Sequence, residues 1–287
     1  MVNVAIVRAF TKNEVGGNLA GVCLDADSLS DQQMQKIAKA IDLSETAFVQ
    51  KSDNANFRVR FFTRVSEIAL CGHATIATFS LLAQRGIIST GKYTQETGEG
   101  VLNVEITSDG VIFMNQALPR FIGEKNKEEL ALALGTEKNK ISATLPIKIL
   151  STGVATIIVP MNSLRDIMDL KPDMNKITEL TKEYDGLIYA FTTETITPNA
   201  TAHGRMFDPL AGIPEESATG TANGALACYM VNQRLAEGDK PLVFEQGYAM
   251  DLPSELLGRI EMKGNKIVGV IIGGRGAIKE EKEISLD

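Results

Sequence analysis

The feature that most constrains this chain is a weak internal repeat. Asp42 stands five residues before Ala47-Phe48, and Asp185 stands five before Ala190-Phe191. Arg60-Phe61-Phe62 is then echoed by Arg205-Met206-Phe207, and Glu67 precedes Gly72 by five as Glu215 precedes Gly220. Finally, G-H-A-T-I-A from Gly72 and G-T-A-N-G-A from Gly220 share their glycine and alanine steps. The offset drifts only from 143 (42 to 185) to 148 (72 to 220). Each match alone is cheap, but four in one order imply two related α/β halves. Each half ends its core with a helix that begins at a glycine.

The length of 287 residues suits one large or two ordinary α/β domains. The first half is expected to span 1–118, completed by residues 275–287, and the second 119–274. Local patterning fills in both. VNVAIVRAFT alternates as a strand, and Ser30 caps a helix whose Met34, Ile37, Ala38 and Ile41 recur at helical spacing. LSETAFV and FRVRFFT read as strands, and GHATIATFSLLAQR as a helix rich in small residues. The second half repeats the theme with IKILSTGVATIIVPM, GLIYAFTTE and HGRMFDP as strands, GTANGALACYMVNQ as a helix and PLVFEQGYAM as a strand.

Composition excludes several classes of function. A net charge of -7 and a pI near 5.1 argue against general affinity for nucleic acid or anionic membrane. No apolar run approaches the roughly 18 residues a membrane span needs, and no secretory signal pattern opens the sequence. Cys23, Cys71 and Cys228 are odd in number and far apart, which fits free thiols in a reducing cytoplasm. The only histidines, His73 and His203, lack metal-ligand spacing to a second His or Cys, so no metal is expected. The G-G-R-G at 273–276 opens no helix, and no P-loop exists, so no nucleotide cofactor is expected either.

Two helix starts carry the candidate chemistry, Cys71-Gly72-His73-Ala74 and Thr219-Gly220-Thr221-Ala222. Each offers unpaired N–H groups and a positive dipole end. If the halves face one another, both can hold one substrate carboxylate; alternatively the glycines serve only helix–sheet packing. His73 beside its helix start should have a lowered pKa and be neutral. Glu45, a carboxylate at the mouth of an apolar strand, should have a raised pKa suited to acid–base work. Its counterpart in the repeat is Ile188, so only one half carries this acid. A purely structural Glu or His remains the other reading of each. Glu215 and Glu216 read as favouring the dipole of the following helix. A two-thiol racemase is disfavoured, because the counterpart of Cys71 is Thr219.

The segments VRAFTKNEVGGNLAGV, LSETAFV, FRVRFFT, LCGHATIATFSLL, RMFDPLAGIPEESATGTANGALACYM and FEQGY, in that order, resemble the phenazine-biosynthesis PhzF-like family. The resemblance implies a diaminopimelate-epimerase-like fold: two pseudo-symmetric halves, each a curved, mostly antiparallel sheet around a central helix, with the active site between them. It implies no metal or organic cofactor, a homodimer, and isomerisation by proton transfer on a small carboxylate-bearing substrate. It assigns general acid–base work to Glu45 of S-E-T, beside Ser44, and substrate binding to Gly72 and His73. The second motif departs from the family's E-D-P-V-T-G-S. Here Glu216 occupies the aspartate position and Thr221 the hydroxyl position, after Gly220. Both keep the functional group while changing its reach. Two rivals remain: an amino-acid epimerase dependent on Cys71, and a small-molecule-binding protein that has kept the fold and lost turnover.

Overall fold

The computed structural model describes residues 1–286. The chain forms two compact units, Met1–Asn115 together with the stretch from Gly273, and Gln116–Ile272.

Unit 1 comprises β1 (Val2–Ala9), β2 (Asn18–Cys23), α1 (Asp31–Ile41), β3 (Thr46–Gln50), β4 (Phe57–Phe62), β5 (Glu67–Ile68), α2 (Gly72–Gln84), β6 (Gly91–Thr97), β7 (Gly100–Ile106) and β8 (Ile112–Asn115). The C-terminal strand, Gly276–Ile284, returns to pair antiparallel with β1. Ser30 and Gln33 form a reciprocal capping box that starts α1. The helix buries Met34, Ile37, Ala38 and Ile41, the face its spacing indicates. Most strand pairs are antiparallel, but β2–β3 and β4–β6 are parallel. Parallel neighbours need a crossover, and α1 supplies one while α2 supplies the other. Every residue of α2 from His73 to Leu82 is buried. A helix buried on all sides must be surrounded, and β1, β2, β3, β8 and the C-terminal strand pack around it.

Unit 2 comprises β9 (Arg120–Glu124), α3 (Lys127–Ala133), β10 (Lys148–Ser151), β11 (Ala155–Pro160), α4 (Leu164–Met168), α5 (Met174–Thr181), β12 (Gly186–Thr192), β13 (Ala202–Asp208), β14 (Ile213–Glu216), α6 (Gly220–Asn232), β15 (Leu242–Gln246), β16 (Ser254–Lys263) and β17 (Lys266–Gly274). Its parallel pairs, β11–β12 and β13–β15, fall at the same steps of the repeat, with α4 and α5 crossing over the first and α6 the second. The central α6 is buried from Ala222 to Met230.

The repeat is thus a repeat of folding units, and its marker residues have identifiable work. Asp42 and Asp185 both adopt left-handed backbone, with φ of 56° and 47°, as the chain turns from a helical segment into the strand that follows. Aspartate tolerates that region better than most side chains. Arg60 forks onto Glu67 through two bonds of 2.8 and 2.7 Å, and Arg205 onto Glu215 through two of 2.8 Å. Each guanidinium also lies 5.2 Å from the ring centre of its own Phe, Phe62 or Phe207. Glu215 is therefore half of a strand-to-strand clamp, which is a more specific role than easing a helix dipole. One strand is shorter than its sequence suggests. FEQGYAM stops at Gln246, because Gly247 turns left-handed at φ 81° and a 3-10 turn follows.

Candidate active site

In unit 1, Asp42 ends α1 and four residues later, at Thr46, the chain enters β3. The carbonyl of Glu45 accepts from Gly21 N–H at 3.0 Å, which fixes the main chain and leaves the side chain free to turn towards α2. Gly21 is needed for that approach, since a Cβ there would come within 2.8 Å of the Thr46 hydroxyl oxygen.

Four residues meet at this point. His73 Nε2 lies 3.1 Å from Glu45 Oε2, and the two side chains are only 8% and 13% exposed. Ser44 Oγ lies 3.5 Å from the same nitrogen, and Cys71 Sγ lies 3.5 Å from Nδ1. Glu45 Oε2 is shut off from solvent and makes no well-aligned hydrogen bond. At 3.1 Å the attraction of opposite charges acts whatever the angle, so the pair is held chiefly by charge.

The electrostatics reverse both sequence-based expectations. Burial pushes the Glu45 carboxyl up, but the facing His73 charge, with the donors of His73, Ser44 and Cys71, outweighs it and holds the pKa below the ordinary value. Burial pushes His73 down, but the Cys71 sulfur and the Glu45 carboxylate outweigh it, and its pKa lies well above 6.5. Paired with an anion at contact distance, His73 feels that charge more than the helix dipole. The resting site therefore holds an ionised carboxylate against an imidazolium. For Cys71, burial and the nearby carboxylate push the thiol up, away from a reactive thiolate.

The α2 terminus adds donors. Thr75 N–H makes the first intrahelical bond, to the Cys71 carbonyl, so the N–H groups of Gly72 and His73 have no partner within the helix. A Cβ on Gly72 would meet nothing closer than Met114 Sδ at 3.8 Å, an ordinary contact. Packing does not require glycine at 72. What its absent side chain leaves is clear space over the helix start.

One donor atom each from Glu45, Cys71 and His73 lies within 4.8 Å of the other two, a set of the kind that binds zinc. Sequence spacing hid it, because Glu45 lies 26 residues before Cys71 (71 − 45). The sulfur lies 3.5 Å from Nδ1 and the carboxylate 3.1 Å from Nε2, and the Cys71 thiol also reaches the Glu45 carboxylate as a donor.

In unit 2 the corresponding terminus is built from hydroxyl and amide groups around one carboxylate, Glu216. Thr219 donates through Oγ1 to Glu216 Oε2 at 2.6 Å, and the Thr221 carbonyl accepts from Thr152 Oγ1 at 3.0 Å. Gly220 begins α6 and is itself buried. Ser44, Glu45, Gly72 and His73 thus gather in unit 1, while Glu216, Gly220 and Thr221 gather at the α6 terminus. Sequence reasoning missed Gln246, Asn223 and Tyr189, which form one buried network with Thr219. The available signal was the Glu245-Gln246 pair closing the otherwise apolar strand LVFEQ.

Comparison with known proteins now bears on the identity. The family model described as phenazine biosynthesis-like protein, PhzC-PhzF, matches residues 7–282. The chain belongs to this family. Among curated relatives, it is 37% identical to the uncharacterized isomerase YfhB of Bacillus subtilis, over 91% of this chain and 90% of that one. It is 29% identical to a trans-2,3-dihydro-3-hydroxyanthranilate isomerase of Pseudomonas fluorescens, over 96% of each. Among solved structures, a PhzF-family phenazine biosynthesis protein of Bacillus anthracis superposes with a TM-score of 0.93 at 32% identity, over 99% of each chain. A hydroxyproline epimerase of Agrobacterium vitis, at 11% identity and a TM-score of 0.65 over 100% of this chain and 91% of that one, shares the fold alone. The fold is that of the PhzF and diaminopimelate-epimerase-like proteins, and the enzyme class is isomerase. No helix among the described residues is long and apolar enough to cross a membrane.

Proposed function

We propose that this enzyme isomerises a small carboxylate-bearing substrate by moving a proton, with Glu45 as the acid–base group. The observation that carries the reading is the Glu45–His73 contact: a buried carboxylate kept ionised, with one oxygen free of well-aligned hydrogen bonds. An ionised carboxylate is the form that can remove a proton. Glu45 takes a proton from one carbon, and the electron pair left behind shifts along the adjoining unsaturation. The carboxylic acid so formed returns the proton at the far end, restoring Glu45 with no net gain or loss of atoms. His73 keeps Glu45 charged at the start and, as a cation, steadies the negative charge that develops on the substrate. The N–H groups of Gly72 and His73 hold substrate oxygen. Glu216, Gly220 and Thr221 are assigned to substrate binding, and Ser44 to holding the Glu45–His73 pair.

The trans-2,3-dihydro-3-hydroxyanthranilate named for the Pseudomonas relative is a substrate of this class, a ring carboxylate with movable double bonds. Family membership does not make this chain a phenazine enzyme, so the substrate is sought in a panel. The proposal extends to a homodimer in the cytoplasm, checked by light scattering and cell fractionation. An epimerase reaction through Cys71 is the weaker reading, since burial holds that thiol protonated.

The test is proton NMR in deuterated water on a panel of cyclic dienoic acids, hydroxyanthranilate-type acids and amino acids. Double-bond migration or deuterium uptake in a dienoic acid is expected. Ligand-induced stabilisation with no exchange would replace the isomerase with a binding protein.

A further inference from the structure

We infer that Gln246 is a positioning residue for the α6 terminus, fixing the segment 216–219 and, through the Thr219 hydroxyl, the aim of the Glu216 carboxylate. The inference rests on the reading that Glu216, Gly220 and Thr221 bind substrate.

Gln246 closes β15 and is fully buried. Its Nε2 donates to the Glu216 carbonyl at 2.7 Å and to Thr219 Oγ1 at 3.2 Å. Its Oε1 accepts from Thr219 N–H at 3.1 Å and from Asn223 Nδ2 at 2.9 Å. Both ends of one amide are therefore spent on the stretch that leads into α6. The next residue strengthens the fit: a Cβ at Gly247 would lie 2.6 Å from the Ser217 carbonyl oxygen. The Gln-Gly pair runs directly against the segment.

The directions of these bonds follow from the backbone. Thr219 N–H can only donate, so Oε1 must be the group facing it and Nε2 the group facing Thr219 Oγ1. With that oxygen already accepting from Nε2, the Thr219 hydroxyl proton is directed to Glu216 Oε2, 2.6 Å away. Asn223 is ordered likewise, donating to the Thr219 carbonyl and to Gln246 while accepting from the Tyr189 hydroxyl at 2.9 Å. The chain of donors runs one way, from Gln246 through Thr219 to Glu216. It leaves the N–H groups of Gly220 and Thr221 outside the network, where a helix start has none of its own bonds.

The same scaffold does not demand this arrangement. In unit 1 the glutamine on the equivalent strand, Gln95 of β6, is equally buried but donates only to Thr75 Oγ1 at 3.1 Å, and its Oε1 has no partner. A glutamine that merely fills this place in the core is thus on view beside the one that grips a loop.

The test uses the full chain with Gln246→Met, Thr219→Val and Thr219→Ser. In Gln246→Met, the Thr219 backbone amide resonance should move upfield and hydrogen-exchange protection at Thr219 and Asn223 should fall. With the panel acid that is turned over, KM should rise about tenfold, the scale of one net hydrogen bond to a charged group, while kcat changes less than about twofold. Thr219→Val should reproduce the KM effect, and Thr219→Ser, which keeps the hydroxyl, should restore the wild-type value. An unshifted Thr219 amide in Gln246→Met, or Thr219→Ser behaving like Thr219→Val, would overturn the inference. If no acid is turned over, the functional reading fails, and the amide shift and exchange data still decide the positioning role.

Discussion

The two central helices begin alike and end up with opposite chemistry at their starts. Both α2 and α6 run 13 residues, and both have extended N-cap residues, Cys71 and Thr219, whose side chains cap nothing. Both follow an Arg–Glu fork. At α2, however, the surroundings are charged and incompletely satisfied: Glu45 Oε2 faces His73 as an ion pair without a well-aligned hydrogen bond, and Thr46 Oγ1 and Gln95 Oε1 are buried and unpartnered. At α6, Tyr189, Asn223, Gln246 and Thr219 exchange hydrogen bonds until that network closes. The scaffold accepts either solution. A closed hydroxyl–amide network fixes geometry, whereas a buried carboxylate held mainly by the charge of its neighbour stores reactivity.

Exchanging one feature at a time breaks the comparison. The largest effect is expected for Glu45→Gln, which keeps the shape and removes the base. Turnover should fall on the order of 10³-fold, with the thermal midpoint changed by only a few degrees.

Next comes His73→Gln. The gross attraction in the Glu45–His73 pair, on the order of 5 kcal/mol at an effective dielectric of about 20, is comparable to the cost of desolvating the two groups. The pair is therefore worth little net, but stranding the carboxylate should cost about 3 kcal/mol in urea unfolding. The pH dependence has a definite sign. The folded pKa of Glu45 is depressed, so its contribution is present above the unfolded value near 4.5 and fades as pH falls through the folded one. That of His73 is raised, so its contribution is full below about 6.5 and fades as pH rises through a folded value well above that. The stability gap between wild type and His73→Gln should thus be widest between about pH 4.5 and 6.5, and should narrow on either side.

In unit 2, Tyr189→Phe removes one donor from a satisfied network and should cost about 1 kcal/mol. The smallest effect sharpens the contrast: Thr46→Val removes a buried hydroxyl that has no partner, and the change in stability should lie within about 0.5 kcal/mol of zero. A Thr46→Val loss as large as that of Tyr189→Phe would show that the two networks are equally satisfied.

Much of this was legible in the residues because it is local or periodic. The capping box at Ser30, the apolar spacing of α1 and the glycine starts of α2 and α6 all lie within a few positions of one another. The repeat was legible because Asp42 and Asp185 serve the same backbone conformation, and Arg60 and Arg205 the same clamp. The charge states were not legible. His73 is expected neutral from its place on a helix, and Glu45 is expected to have its pKa raised by burial. Their ionisation follows from a contact between positions 28 residues apart (73 − 45) that no local pattern encodes. Gln246 escaped notice for the same reason, since its partners lie 23 to 57 residues away.

The central claim is that Glu45 performs the proton transfer. The direct measurement is the rate of double-bond migration in a dienoic acid, followed by proton NMR in deuterated water, for wild type and Glu45→Gln side by side. Substrate-induced thermal stabilisation is recorded on the same samples. The account predicts that the variant is still stabilised by the acid but loses migration by about three orders of magnitude. Migration at the wild-type rate in Glu45→Gln would contradict it.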